Sequence, residues 1–145
     1  MTDSLPSLPC MCATLRRASR ALTQLYDEAM RPVGLRATQF TILQALSLAG
    51  EVSQRDLGQL LAMDSTTLTR TLEIMGGHGW IAKRRGQDRR EWRLRLSKPG
   101  ETQRKRALPY WQKVQGRLRT QLGNDLSDSL LKLTNKLTSA VTELQ

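Results

Sequence analysis

The spacing of apolar residues along the chain predicts a mainly helical fold. Apolar side chains that recur every three or four residues form one face of a helix, and six segments show this period. Proline, glycine or a capping residue separates each segment from the next. The helices are predicted at about 14–31, 38–48, 54–62, 65–75, 99–122 and 124–144.

One segment has the period of a strand instead. Trp92, Leu94 and Leu96 alternate with Arg93 and Arg95. One face of this strand should therefore pack on the domain, while the other presents guanidinium groups. An arginine-rich turn joins it to a preceding strand, so the two strands form a predicted hairpin.

Glycine and proline give two further expectations about the helices. Gly76, Gly77 and Gly79 are expected to end the fourth helix early or to form a hinge before the hairpin, and Trp80 then fills part of the core. Pro109 lies inside the fifth helix and is expected to kink it.

The net charge and its distribution narrow the classes of molecule that the protein is expected to bind. The formal net charge of the 145-residue chain is +10, and the segment from Ile81 to Arg106 has eleven Lys/Arg against three Asp/Glu, a net of +8. A positive charge concentrated in this way attracts polyanions, although a surface tuned for solubility is the alternative. An anionic membrane would favour a basic helix with a wide apolar face, whereas this charge is densest on the predicted hairpin.

The sequence favours the cytoplasm. No apolar run approaches the length of a membrane span, and the first ten residues have neither the basic region nor the apolar core of a signal peptide. We therefore expect a cytoplasmic protein with no membrane partner, whose cysteines are reduced at rest.

The segment from Asp64 to Ser97 has the most specific chemistry. A short helix with hydroxyls and one arginine on its exposed side suits base edges and phosphates. The basic hairpin beside it suits phosphates, and Asp88 is expected to orient the Arg90 guanidinium at its tip. Together they predict a winged helix-turn-helix that binds double-stranded DNA. The candidate DNA-binding residues are Ser53, Gln54, Ser65, Thr66, Thr67, Thr69, Arg70, Lys83, Arg84, Asp88, Arg89 and Arg90.

Catalytic groupings are missing from the sequence. The single histidine, His78, stands in a glycine-rich turn, so no Cys/His or Ser/His/Asp set can be assembled. The glycines around it do not have the spacing of a phosphate-binding loop. We expect no enzyme activity and no cofactor.

Cys10 and Cys12 leave three interpretations open. They lie at the entry to the first predicted helix, where a thiolate can be reactive. They are inert, or they sense thiol oxidation, or they supply half of a metal site shared across a dimer. A disulfide between residues two apart is strained, so a link to another subunit or to a small thiol is easier.

The two terminal helices have more apolar surface than a small domain covers by itself. Apolar residues repeat at steps of four and three in the last helix, which is the pattern of a seam for another helix. We interpret both helices as the arms of a homodimer interface; the alternative is that they pack only on each other within a monomer. The candidate dimerisation residues are Leu15, Leu22, Leu126, Leu130, Leu133, Leu137 and Leu144.

Three segments in this order and spacing resemble the MarR-type bacterial transcription regulators. They are RPVGLRATQFTILQAL (31–46), LGQLLAMDSTTLTRTLEIM (57–75) and DRREWRLRLSKPG (88–100). The third resembles the wing signature of that family, an Asp, an Arg two positions on, a hydrophobic residue, Ser or Thr, and Gly. It falls on Asp88, Arg90, Leu96, Ser97 and Gly100.

The resemblance implies a homodimeric repressor of a near-palindromic operator, released by a small ligand or by an oxidant. It implies a winged helix-turn-helix lobe at 36–98 and dimerisation helices at 13–35 and 99–145, within one domain spanning 1–145. The ligand would lie among the first, second and fifth helices, where the candidates are Arg16, Tyr26, Met30 and Trp111. A nonspecific nucleoid-associated or RNA-binding protein is the alternative function.

Overall fold

Six α-helices and a three-stranded antiparallel sheet make up residues 6–145, the part of the chain that the computed structural model describes. A single 3-10 turn, Arg31–Val33, follows the first helix. The predicted fold class, mainly α with a small β-wing, is confirmed. The elements in chain order are α1 (Met11–Met30), α2 (Ala37–Ala49), β1 (Val52–Ser53), α3 (Gln54–Leu61), α4 (Ser65–Gly77), β2 (Ile81–Arg85), β3 (Trp92–Leu96), α5 (Lys98–Leu122) and α6 (Asn124–Leu144).

Side-chain caps set the starts of three helices. Ser53 Oγ accepts the Asp56 backbone N–H at 3.0 Å at the start of α3, and Asp64 caps α4. Ser97 Oγ accepts the Gly100 N–H at 3.0 Å at the start of α5. These bonds satisfy N–H groups that have no partner within their own helix. Ser53 and Asp64 are thus two of the capping residues expected to separate the helical segments.

The sheet joins α3 and α4, which form the helix-turn-helix, to the hairpin of β2 and β3, which is the wing. The strand order is β1-β3-β2, so β3 is central and pairs with both neighbours. Leu94 in the middle of β3 is fully buried and packs in one core with Leu43, Leu57, Leu68 and Met75, each no more than 2% exposed. Because helices α2, α3 and α4 and the central strand share this core, the position of the wing is coupled to that of α4.

The glycines after Ile74 do not act as predicted. α4 includes Gly76 and ends at Gly77, with His78 as its C-cap, so neither an early helix end nor a hinge is present there. The left-handed position is Gly79, with φ of 78°, and it turns the chain into the hairpin. Trp80 is 9% exposed, which confirms its predicted place in the core.

α5 is the element on which both terminal helices pack. It runs without a break through Pro109 and is tied to α2 by a bond from the Arg104 guanidinium to Gln44 Oε1 at 2.8 Å. α1 and α6 lie against it, so the alternative in which the terminal helices pack only on each other is wrong. Along α6, Ser127 is the buried residue and most of the helix is exposed.

The N-terminal helix begins three residues before the predicted start, at Met11. Residues 1–5 lie outside the described part of the chain, and with them half of the segment on which the prediction of no signal peptide was made. Between residues 6 and 145, every helix is either too short or too polar to cross a membrane.

Candidate nucleic-acid interface

The exposed side of α4 brings four of the predicted DNA-binding residues together. The opposite side of the helix is held in the core by Leu68, Leu72 and Met75. The exposed side forms a shallow depression of about 360 Å³ in which hydroxyls, a guanidinium and a carboxylate meet. The residues that line it are Ser65, Thr66, Thr69, Arg70 and Glu73.

Sequence reasoning missed Glu73 in this set. It lies three residues after Arg70, so the helical period already places the two on the same side. A carboxylate repels phosphate but accepts a hydrogen bond from the cytosine amino group in the major groove. Its presence in the same depression as Arg70 suits contact with base edges better than contact with the DNA backbone.

Thr67 takes part in the cap of α4. Asp64 Oδ2 accepts the Thr67 backbone N–H at 2.9 Å, and Asp64 Oδ1 accepts the Thr67 hydroxyl at 2.7 Å. These bonds, the side-chain one first, hold the pKa of Asp64 below its usual value. The Thr67 hydroxyl therefore donates to the cap, which leaves its oxygen as an acceptor for any outside group.

Two predicted residues at the start of α3 face the protein. Ser53 is 5% exposed and its hydroxyl caps α3, so the prediction that it contacts DNA is wrong for this side chain. Gln54 is half-buried and its amide donates to Thr69 Oγ1 at 3.1 Å. Gln54 thus links α3 to α4 through the hydroxyl of Thr69.

Arg84 is paired with an acidic residue 33 positions away. Its guanidinium makes a bidentate ion pair with Glu51, in which Nε donates to Oε1 and Nη2 donates to Oε2 at 2.9 Å. The hydrogen bond from Arg84 lowers the pKa of Glu51 and raises that of Arg84. A predicted DNA-binding cation is therefore neutralised within the chain, and it braces β2 against the loop that precedes β1.

The wing tip differs from the prediction in how Asp88 acts. Asp88 Oδ1 accepts the backbone N–H of Arg90 at 3.0 Å. Its carboxylate is too far from the Arg90 guanidinium to form an ion pair, so the predicted charge-assisted bond to that group is wrong. The carboxylate instead shapes the turn in the way an Asx-turn does. Arg89 and Arg90 are exposed, and their guanidinium groups have no ion-pair partner among residues 6–145.

The two arginines of β3 follow the predicted alternation only in part, since Arg95 is exposed as expected and Arg93 is not. The Arg93 side chain is 29% exposed and is paired with Glu91 at 3.0 Å, so it is not presented to solvent as expected. Lys83 is exposed on the other face of the hairpin, where its ammonium group lies 4.3 Å from the centre of the Trp92 ring.

The four residues named for a possible ligand pocket differ in their exposure. Met30 is fully buried in the core, and Trp111 packs on Phe40 with ring centres 5.8 Å apart. Tyr26 donates a hydrogen bond to Gln115 Oε1, and burial raises its pKa; Arg16 is exposed on α1. Three of these side chains are buried or half-buried and one is exposed, so a ligand site among them stays a prediction.

A larger groove of about 1720 Å³ lies elsewhere, with α3, the start of α4 and the hairpin tip on one side and the C-terminal part of α6 on the other. Ser65 at the start of α4 and Arg90 at the wing tip both line it, as do Leu137 and Val141 of α6. The start of α4 and the wing tip therefore border one concave surface.

Both cysteines are exposed free thiols. Cys10 is the N-cap residue of α1 and Cys12 lies in its first turn. The described residues contain no cluster of three His, Cys, Asp or Glu side chains suited to a metal ion. The thiols are therefore accessible to an oxidant or to another chain, and their role stays a prediction.

Comparison with known proteins gives consistent findings. Residues 35–92 match the model of the MarR family. The chain is 29% identical over 87 residues to YwoH of Bacillus subtilis strain 168, an uncharacterized HTH-type transcriptional regulator. That alignment covers 60% of this chain and 64% of YwoH, so it spans somewhat less than two thirds of that relative.

Solved structures match nearly the full chain. The Mycobacterium tuberculosis transcriptional regulator MosR, in complex with DNA, is 34% identical, with a TM-score of 0.79 over 90% of this chain and 98% of MosR. The PcaV transcriptional regulator of Streptomyces coelicolor, in complex with its natural ligand, has a TM-score of 0.81 at 20% identity, over 94% of this chain and 99% of PcaV. At that identity the second match shows the fold alone.

Proposed function

The chain belongs to the MarR family, and we propose that it is a homodimeric transcription repressor that binds a near-palindromic double-stranded DNA operator. One observation carries this proposal: the exposed side of α4, through Ser65, and the wing tip, through the unpaired Arg90, meet at one concave surface. The first has groups that read bases in a major groove, and the second has cations that grip phosphate or a minor groove. Proteins of this family are transcription regulators and not enzymes.

The proposed layout has a DNA-binding lobe at 36–98 between dimerisation helices at 13–35 and 99–145. It is supported by the exposure of apolar residues on α6, where Leu126 and Leu133 are 62% and 64% exposed. A second copy of the chain would cover them and would place a second α4 on the operator.

Selection of DNA from a library of genomic fragments at fixed salt tests the proposal. We expect one near-palindromic sequence to be enriched, with an affinity at least about 10³-fold above that for random DNA. Equal recovery of all fragments, or better binding to RNA, would instead support the nonspecific alternative. The salt concentration has to be the same in every arm, because phosphate contacts make affinity strongly salt-dependent.

Arg70 provides the test of base reading. Arg70→Ala should cost on the order of 1–3 kcal/mol on the selected operator and less on random DNA, because a bidentate contact to a base is lost only at the cognate site. Titration of both DNAs with wild type and variant measures the difference. An equal loss on both would make Arg70 a phosphate contact, and the neighbouring Glu73→Gln variant would then become the next candidate.

Arg90 provides the test of the wing. Arg90→Ala should weaken binding to every operator variant by a similar factor and should reduce the slope of log affinity against log salt by about one charge. Affinities measured over a range of salt on several operator variants give both quantities. Unchanged affinity at moderate salt would remove the wing tip from the interface. Asp88→Ala should reproduce part of the loss, because it removes the bond that shapes the Arg90 backbone.

Two features of the structure support two different signals for release from DNA. The accessible thiols of Cys10 and Cys12 support release by oxidation. The groove between the lobe and α6 supports release by a small ligand instead, since a molecule bound there touches both the DNA-binding lobe and a dimerisation helix.

A further inference from the structure

Trp92 occupies an unusual place for a large aromatic residue, at the outer end of the wing and away from the core. It is the first residue of β3 and lies directly opposite Arg85, the last residue of β2. Residues opposite each other in antiparallel strands point to the same face, and so do their neighbours two positions along. Lys83 and Arg85 therefore share a face with the Trp92 ring.

Both cations lie over that ring. The Arg85 guanidinium carbon is 3.8 Å from the ring centre, and the Lys83 ammonium nitrogen is 4.3 Å away. Both distances are well within the range of cation–π attraction. The indole thus holds two positive charges close together, although Coulomb repulsion would otherwise push them apart.

Arg85 also reaches the wing tip. Its Nη1 donates a hydrogen bond of 2.7 Å to the backbone carbonyl of Arg89. The same guanidinium group therefore contacts the Trp92 ring and the backbone of the turn. This geometry links the end of β3 to Arg89, and through the chain to Arg90.

The other bonds of the tip are exposed to water. The Gly86 N–H donates to the Glu91 carbonyl at 2.9 Å, and the Glu91 N–H donates to the Asp88 carbonyl at 2.9 Å. Residues 87–90 are all exposed. Water competes for bonds of this kind, so each contributes little to the order of the turn. The Trp92 ring offers an extended apolar surface against which the tip can be held through Arg85.

We propose that Trp92 and Arg85 form a brace that fixes the wing tip in the shape in which Arg89 and Arg90 meet DNA. Trp92 is thereby a positioning residue for operator binding and acts on affinity through Arg89 and Arg90. The brace rests on the proposed function. It also assigns Arg85 to the support of the wing rather than to contact with DNA.

Trp92→Leu tests the brace because it leaves the charge of the protein unchanged. We expect about a tenfold loss of operator affinity, since both cation–π contacts are removed. Trp92→Phe keeps an aromatic face and should stay within about threefold of wild type. Affinity is measured at one salt concentration on the selected operator, and circular dichroism checks that each variant is folded.

A double-mutant cycle separates positioning from a general loss of stability. When Arg89→Ala and Arg90→Ala are both present, Trp92→Leu has nothing left to position and should change affinity by less than about twofold. A tenfold loss that persists in this background would overturn the brace, as would a Trp92→Leu protein that binds like wild type. If wild type itself selects no operator, the proposed function fails first, and the role of Trp92 in operator binding fails with it.

Trypsin gives a readout without DNA. Cleavage after Arg89 and Arg90 should be several times faster in Trp92→Leu than in wild type, while cleavage at arginines outside the hairpin stays the same. Arg85→Lys is a second route should Trp92→Leu not fold. It keeps the charge, but one ammonium group cannot cover the ring and reach the Arg89 carbonyl as the guanidinium does. Equal cleavage of the tip in wild type and in the folded variants would overturn the brace.

Discussion

Replacing Leu133 and Leu137 by aspartate should abolish operator binding while α4 and the wing stay intact. Leu133 is 64% exposed and Leu137 is half-buried. Both belong to the row of leucines on α6 that we call the seam, which consists of Leu126, Leu130, Leu133, Leu137 and Leu144. Burial of such a side chain against a second subunit contributes on the order of 1.5–3 kcal/mol, so two buried charges outweigh a marginal interface. A single recognition helix then has too few base contacts to hold a specific site, since two helices about 34 Å apart are needed.

The measurement has two parts, sedimentation at micromolar concentration and titration of the operator. Wild type should sediment at twice the chain mass of 16.4 kDa and the double variant at that mass. The variant with Leu131→Asp and Ser139→Asp is the matched control. It adds the same two charges to exposed positions of α6 that lie outside the seam. A wild-type monomer that protects a full palindrome, or a control that dissociates equally, would contradict the assignment of the seam.

The exposed leucines of α6 are not explained by a single copy of the chain. Along α6 the apolar residues of the seam remain largely exposed, and Leu126, Leu130 and Leu144 are 62%, 42% and 87% exposed. Large contiguous apolar surfaces of this kind mark interaction sites. The step of four and three residues selects a helix as the covering element, and symmetry makes the same helix of a second copy the simplest candidate.

Local signals in the sequence predicted most of the fold. Caps and apolar periods are properties of neighbouring residues, and each gave the correct element: Ser53 and Asp64 start their helices, and Leu94 is the buried centre of its strand. The glycines misled because an isolated glycine only costs helix stability and does not forbid a helix. Tertiary contacts of α4 through Met75 outweigh that cost at Gly76 and Gly77.

The site was predicted less completely because its pairs lie far apart in sequence. Nothing near Arg84 indicates that Glu51, 33 positions earlier, neutralises it. Asp88 shows a subtler limit, since a carboxylate two residues from an arginine can bind either its guanidinium or its backbone N–H, and the tight turn favours the second. In both cases sequence gave the correct residue types and the structure gave their partners.

Replacing Gly100 by alanine should destabilise the protein strongly. An added Cβ would overlap the carbonyl oxygen of Trp80 and lie 2.9 Å from its carbonyl carbon and 3.0 Å from Leu96 Cδ1. The backbone of Trp80 cannot move aside easily, because its carbonyl accepts the Ser97 N–H at 3.1 Å and its side chain is in the core. We expect a loss of about 2–4 kcal/mol in the free energy of unfolding, because the junction of α4, the hairpin and α5 must open.

Gly116 in the same helix is the matched control. It is exposed, and an added Cβ would meet nothing within 4 Å. Gly116→Ala should therefore stabilise the protein by about 0.5–1 kcal/mol, the usual gain for alanine over glycine in a helix. Thermal unfolding of the two variants should shift in opposite directions, downward by roughly 10 °C for Gly100→Ala. Equal melting temperatures would show that α5 moves away from Trp80 at little cost, so glycine would not be required where the wing joins α5.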